Sequence, residues 1–184
     1  MRTLPRLSSA IAMLFLSLTA VLQGQGQTAD RADEAAFLRA VGENFGFPSS
    51  ELEVLRRWGL SAGEIPVVLF LARRAGVSPD VVVTQRGGGE SWMAIAGRYS
   101  LHAGDFHVQL DGPYGPLAGA YNRFNERPAS DWREIPLSDI EVVGLVNARF
   151  LARHLNVSAG RAAQELGQGD VVGAFLRLRG GDAP

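Results

Sequence analysis

The spacing of hydrophobic and polar positions along most of the chain is typical of amphipathic helices. Apolar residues recur three and four positions apart in three long stretches, and a fourth stretch is apolar on nearly every face. We therefore predict an all-α fold, with helices over Asp30–Asn44, Ser50–Trp58, Ile65–Ala75 and about Asp139–Leu155.

Capping residues and glycines mark where several of these helices begin and end. Ser61 with Glu64 and Ser138 with Glu141 have the spacing of a capping box, and Gly76 is placed to end the helix before it. The two capping boxes lie at the start of the long helices predicted at Ile65–Ala75 and Asp139–Leu155. Two shorter helices are predicted after each of these long helices. The first pair begins at Ser78 and at Glu90 or Ser91, and the second pair begins at Ser158 and Asp170.

The chain also resembles itself at a shift of 80 residues. Residues 70–98 align without gaps to residues 150–178, and nine of the 29 aligned positions carry the same residue, including Phe-Leu-Ala-Arg at 70–73 and 150–153. We interpret this as an internal duplication, with repeat 1 at about 60–98 and repeat 2 at about 138–178. Two related three-helix units would pack together, and a four-helix bundle is the alternative arrangement.

Between the repeats, residues 99–137 form an insertion with a different composition. It contains four of the nine prolines, two of the three histidines and six of the 15 aromatic residues. A short strand over Asp105–Leu110 and a helix from Leu117 to about Glu126 are predicted in an otherwise irregular segment. Long irregular connections are usually functional or disordered, and the aromatic content favours function. The candidate residues for partner or ligand binding here are Tyr114, Tyr121 and Trp132.

Asn147 is the one polar residue on an otherwise apolar face of the predicted helix at Asp139–Leu155. Ile140, Val143 and Phe150 share that face. A buried amide needs hydrogen-bond partners. Asn147 therefore either bonds to backbone of the insertion or supplies a polar group to a ligand cleft.

The three tryptophans lie beside helix boundaries. Trp58 and Trp92 are expected in the core where helices meet, and Trp132 is expected to be partly exposed because charged residues and prolines surround it.

The N-terminus has the pattern of a cleavable secretory signal. Arg2 and Arg6 precede an apolar run at Ala10–Leu22, and small and polar residues follow. We predict cleavage after Gly26, a single helical domain at 27–184, no membrane span in that mature form, and a periplasmic or secreted location. An uncleaved signal anchor is the alternative.

The composition limits the function classes that remain. The 184 residues include no cysteine, which excludes disulfides and thiol chemistry, and all 18 basic residues are arginine. Removal of Arg2 and Arg6 leaves 16 basic against 19 acidic residues. This acidic balance argues against nucleic acid as a partner.

His102, Asp105 and His107 are the candidate metal ligands, since imidazole and carboxylate groups suit zinc. Their spacing does not bring all three together on a helix, and on a strand only Asp105 and His107 share a face. We therefore expect neither a metal nor another cofactor.

One enzymatic resemblance involves Glu90. Gly76-Val77-Ser78-Pro79-Asp80, an apolar helix and then Glu90-Ser91-Trp92 resemble the start of a lytic transglycosylase domain, and Ala120-Tyr121-Asn122 is similar to a triplet that lines the cleft in that family. The resemblance implies that Glu90 acts as general acid on peptidoglycan. The chain lacks the family's Gly-Leu-Met-Gln element, and the interval from Glu90 to Tyr121 is short for that family.

These observations favour a non-catalytic module of the cell envelope. We expect it to bind an envelope protein or a cell-wall component through the insertion and the groove between the repeats, with Tyr114, Tyr121, Trp132 and Asn147 as candidate binding residues. The alternative is a peptidoglycan-cleaving enzyme that uses Glu90.

Overall fold

The described part of the chain is helical and contains no strand, which confirms the all-α prediction. The computed structural model describes the backbone of residues 11–111 and 114–181, and the side chains of residues 28–111 and 114–181. Short 3₁₀ helices lie at Gly115–Leu117 and Ala129–Glu134. The α-helices are α1 (Ile11–Phe45), α2 (Ser49–Arg57), α3 (Ile65–Ala75), α4 (Pro79–Gly87), α5 (Trp92–Arg98), α6 (Ala103–Phe106), α7 (Ala118–Asn125), α8 (Asp139–Leu155), α9 (Ala159–Leu166) and α10 (Val171–Gly180).

Contacts divide the chain into two units, Met1–Ala36 and Phe37–Pro184. In the first unit the backbone is helical from Ile11, as part of α1. Residues 1–10 and the side chains of residues 11–27 lie outside the described part, so the signal peptide stays a prediction. Searching the described residues for a helix long and apolar enough to cross a bilayer finds none.

The core of the second unit is built around α3 and α8, which pack against each other. Every residue from Ile65 to Ala72 is buried, as expected for a helix that is apolar nearly all round. The longer α8 also packs against α5, α6, α9 and α10. Trp92, Phe37 and Phe106 are among the largest fully buried side chains.

Local capping sets the ends of α8. Ser138 Oγ accepts a hydrogen bond from the Glu141 N–H, and a Glu141 carboxylate oxygen accepts one from the Ser138 N–H at 2.8 Å, which completes the predicted capping box. The helix ends at Leu155, and Asn156 follows in the left-handed conformation with φ of 54°. The predicted bounds, Asp139–Leu155, are confirmed.

The capping pair Ser61 and Glu64 is only half formed. The Ser61 N–H and hydroxyl donate to Glu64 Oε2 at 3.1 and 2.9 Å, but α3 begins one residue after Glu64, at Ile65. Pro66 therefore lies in the first turn, where its missing N–H leaves no helical bond unmade.

An ion cluster around Arg86 joins α4 to the beginnings of α3 and α8. The Arg86 guanidinium lies 3.0 Å from Glu64 and 2.5 Å from Asp139. Burial opposes its charge, yet hydrogen bonds to Asp139 and Glu64 raise the pKa of Arg86. The second oxygen of Asp139 accepts the Trp92 N–H at 2.8 Å, so the same cluster also fixes the start of α5.

The insertion contains several short helices, where one strand and one helix in an otherwise irregular segment were expected. The predicted strand at Asp105–Leu110 is wrong, because His102 and Asp105 form a capping box around α6 that makes the segment helical up to Phe106. The predicted helix from Leu117 to about Glu126 is confirmed by α7.

Two expectations about burial are also corrected. Trp58 is 52% exposed, because α2 buries Leu52 and Leu55 and ends at Arg57, one residue before the indole. Ile140 is 78% exposed, since Val142 is the residue of the first turn of α8 that enters the core. Trp92 is fully buried and Trp132 is partly exposed, as predicted.

Candidate functional site

A pocket of about 430 Å³ lies between α3 and α8 in the second unit. Its volume is within the range of small-molecule sites, about 300–1,000 Å³. We call it the arginine pocket. Its lining residues are Phe45, Phe70, Arg73, Arg74, Val146, Arg149, Phe150 and Arg153.

The floor of the arginine pocket is apolar. Phe70 is 8% exposed, and Val146 and Phe150 are almost completely buried, because all three also belong to the core. Phe45, near the end of α1, lies with its ring centre 6.4 Å from that of Phe150. These side chains give the pocket a rigid hydrophobic base.

Arg73 and Arg153 form an exposed cationic rim above this floor. Each follows a floor phenylalanine by three residues, and this spacing puts ring and guanidinium on the same face of the helix. Of the four arginines that line the pocket, only Arg74 lies within 4.0 Å of a carboxylate in the described part of the chain, at 3.9 Å from Asp105.

Arg149 is partly buried at the edge of the pocket and is held by backbone. Its guanidinium donates to the Asp105 carbonyl from two nitrogens at 3.2 Å and to the His107 carbonyl, and it lies 5.1 Å from the centre of the Phe70 ring. Burial, and then repulsion from Arg74, lower the pKa of Arg149. The site therefore carries excess positive charge where a guanidinium is partly removed from water.

The predicted binding residues of the insertion pack within an aromatic cluster that also contains His107 and Phe124. The Tyr121 ring is 2% exposed, and its hydroxyl donates to the Val108 carbonyl. Burial raises the pKa of Tyr121 to about 12. Tyr114 stacks on Tyr121 with ring centres 4.5 Å apart, and Trp132 Nε1 donates to the Phe124 carbonyl at 3.1 Å.

This aromatic cluster also supports the backbone that holds Arg149. The His107 ring lies 4.3 Å from Trp132 and 5.5 Å from Tyr121, measured between ring centres. The hydroxyl of Tyr121 fixes the next residue, Val108. The insertion thus positions the Asp105 and His107 carbonyls that orient the guanidinium of Arg149.

Asn147 bonds to a different partner from the one expected. Its amide nitrogen donates to the Gly63 carbonyl at 2.9 Å and to the Val143 carbonyl at 2.8 Å, and the residue is fully buried. Gly63 lies just before α3, so the amide ties α8 to α3 and not to the insertion. Asn147 Oδ1 is buried without a partner in the described part of the chain.

The three candidate metal ligands have structural roles. His102 Nδ1 accepts the Gly104 N–H at 3.2 Å, and Asp105 accepts the His102 N–H at 2.9 Å. Burial, and then the charge of Arg149, lower the pKa of His107. Among the described residues, no group of three or more histidine, cysteine, aspartate or glutamate side chains is placed to hold a metal ion.

Glu90 lies in the connection before α5 and pairs with the end of the same helix. Both of its carboxylate oxygens accept from Arg98, at 2.7 and 3.0 Å. This bidentate pair raises the pKa of Arg98. In this arrangement the Glu90 carboxylate is the ion-pair partner of Arg98.

Reasoning from the sequence expected binding in a groove between the repeats but named none of the arginines that line the pocket, although their signal was visible. The repeated Phe-Leu-Ala-Arg supplies Phe70 and Arg73 on one wall and Phe150 and Arg153 on the other. The packing of α3 against α8 is what brings the two copies of this sequence motif to one pocket.

Comparison of the chain with protein-family models finds no match, and neither do comparisons with curated proteins and with solved structures.

Proposed function

We propose that the protein is a non-catalytic binding module of the cell envelope and that it binds an anionic ligand in the arginine pocket. The observation that carries this proposal is the placement of four guanidinium groups around an apolar floor, with only one of them near a carboxylate in the described part of the chain. A bound carboxylate or phosphate group would receive charge-assisted hydrogen bonds there.

The chemistry of the lining favours binding over catalysis. The residues that line the pocket are arginine, phenylalanine and valine, which offer neither a nucleophile nor a general base at neutral pH. Guanidinium groups recognise planar oxyanions, and phenyl rings exclude water.

The internal duplication supports the choice of this groove. We interpret α3–α5 and α8–α10 as the two repeated three-helix units, because they carry the aligned segments. Phe70 and Arg73 correspond to Phe150 and Arg153. The pocket then lies between equivalent surfaces of the repeats, and the insertion completes it by orienting Arg149.

Export to the envelope is supported by the N-terminal sequence. Arg2, Arg6 and the apolar run at Ala10–Leu22 form the expected signal, and cleavage after Gly26 would leave the unit at Phe37–Pro184 intact. N-terminal sequencing of exported protein should find Gln27 first.

Binding is tested by thermal unfolding of the purified protein in the presence of increasing concentrations of organic anions. A ligand of the native state raises the unfolding midpoint with concentration. We expect this rise for wild type and its loss in the double variant Arg73→Gln/Arg153→Gln, whose side chains are exposed and form no described ion pair.

The matched control is Arg57→Gln/Arg133→Gln, which removes the same charge from exposed positions outside the pocket. It should behave as wild type. Equal loss in both double variants would mean that net charge, and not the pocket, governs binding, and would overturn the proposal.

The enzymatic alternative is tested with peptidoglycan. We expect no release of soluble fragments by wild type or by Glu90→Gln, because Glu90 is engaged by Arg98. Fragment release by wild type that disappears in Glu90→Gln would establish the transglycosylase activity instead.

A further inference from the structure

The arginine pocket has apolar side chains at its base and charged side chains at its rim. Phe70 and Phe150 are buried at its base, whereas Arg73 and Arg153 are exposed at its rim. Because the Phe-x-x-Arg spacing occurs on both walls, the same order of apolar base and cationic rim is presented twice. A ligand that matches both levels needs an apolar body as well as an anionic head.

Two further guanidinium groups lie between these walls. Arg149 and Arg74 lie 5.1 and 5.6 Å from the centre of the Phe70 ring, so both contact the same aromatic ring. The Asp105 carboxylate, 3.9 Å from Arg74, does not reach ion-pairing distance of Arg149. An anionic head in this position would offset the mutual repulsion of the two cations.

Other ligand classes match only one level of the pocket. An inorganic anion would engage the guanidinium groups and leave the partly exposed ring of Phe45 uncovered. A neutral lipid would cover the floor but remove water from the guanidinium groups without compensation.

We infer that the ligand is an amphiphilic anion, with a single apolar chain on the phenylalanine floor and a carboxylate or phosphate head among Arg73, Arg149 and Arg153. This inference rests on the proposed function of the same pocket and specifies the ligand class. Both head groups present the oxyanion geometry that guanidinium groups recognise.

The test is isothermal titration calorimetry of the purified protein with soluble probes below their micelle concentrations. Octyl phosphate and octanoate carry both features and distinguish the two heads, inorganic phosphate carries only the head, and 1-octanol carries only the chain. We expect one-to-one binding of at least one octyl anion, with phosphate and octanol each about tenfold weaker or more.

Variants divide the contributions of head and chain. Arg73→Gln/Arg153→Gln should weaken the octyl anion about tenfold or more, whereas Arg57→Gln/Arg133→Gln should leave it unchanged. Phe45→Asn, on the partly exposed part of the floor, should remove the advantage of octyl phosphate over inorganic phosphate while retaining phosphate binding. Circular dichroism establishes that each variant is folded.

The outcomes distinguish this inference from the proposed function. If inorganic phosphate binds as tightly as octyl phosphate, and both are lost in Arg73→Gln/Arg153→Gln, the anion site stands and the amphiphile is overturned. If no probe binds wild type, or if the substitutions in the pocket leave the affinity for every probe unchanged, both proposals are overturned.

Discussion

At the scale of single residues, a few polar side chains determine how buried helices meet. The amide nitrogen of Asn147 donates to the Val143 carbonyl within α8 and to the Gly63 carbonyl just before α3, and the second of these hydrogen bonds links the two helices. The arginine pocket lies between the same helices. The geometry of the pocket therefore depends on an amide that does not line it.

Replacing this amide should destabilise the fold strongly. Asn147→Asp removes the donor and buries a carboxylate against the Gly63 and Val143 carbonyls, so we expect the free energy of unfolding to fall by about 3 kcal/mol or more at neutral pH. Asn147→Leu should cost about 1–3 kcal/mol, because the Gly63 carbonyl loses its amide donor. Urea denaturation measures both.

Asn122→Asp is the matched control, because Asn122 is exposed on α7. Its effect should stay within about 0.5 kcal/mol. Comparable destabilisation by Asn147→Asp and Asn122→Asp would contradict the role assigned to the buried amide.

His107 should make stability dependent on pH. Burial, and then Arg149, lower its folded-state pKa below the ordinary 6.5, so between these two pKa values the unfolded chain binds more protons. The contribution is complete above about pH 6.5 and is lost as the pH falls below it. His107→Phe removes the titrating group and keeps a ring against Trp132.

Urea denaturation at about pH 7.5 and about pH 5.5 tests this dependence. Wild type should lose more free energy of unfolding on acidification than His107→Phe, because only wild type must protonate a partly buried imidazole on unfolding. An equal loss in the two proteins would show that His107 does not contribute to the acid sensitivity.

At the scale of elements, close backbone approach fixes the insertion against α9. A Cβ at Gly160, on α9, would lie 2.5 Å from the Asp111 carbonyl oxygen at the end of the segment that carries the Arg149 acceptors. By contrast, a Cβ at Gly97, on α5, would meet nothing within 4 Å. These two helical glycines permit a matched comparison.

Gly160→Ala should lower the free energy of unfolding by about 1–3 kcal/mol, because backbone must move to accept the methyl group. Gly97→Ala should be neutral or stabilising by up to about 1 kcal/mol, since alanine restricts the unfolded chain. Chemical denaturation compares the two variants. Stabilisation by both would mean that α9 and the insertion do not approach so closely.

Element boundaries were predictable from sequence where a local signal decides them. Ser138 with Glu141 correctly predicted the start of α8, since a capping box needs only residues three apart. The strand expected at Asp105–Leu110 was wrong because the capping role of His102 was not recognised. The exposure of Trp58 depends on which face α2 presents to α3, and a helix period alone does not decide that.

At the scale of the whole molecule, the local charge of one region differs in sign from the net charge of the chain. The sequence has formal charge −1 at neutral pH, yet four arginines line one pocket of the second unit. The net charge argues against a general attraction for polyanions, but it could not reveal this local excess of positive charge. The pocket forms only when residues 80 apart in sequence become neighbours, so local sequence patterns do not predict it.

The central claim is that the guanidinium groups of the arginine pocket bind an anion. Nuclear magnetic resonance of isotope-labelled arginine side chains tests it most directly, because each Nε–Hε group can be assigned by single substitution. On titration with octyl phosphate, the signals of Arg73, Arg149 and Arg153 should shift together and saturate, while those of Arg57 and Arg133 stay in place. Uniform shifts of exposed arginines, or unmoved pocket signals, would contradict the claim.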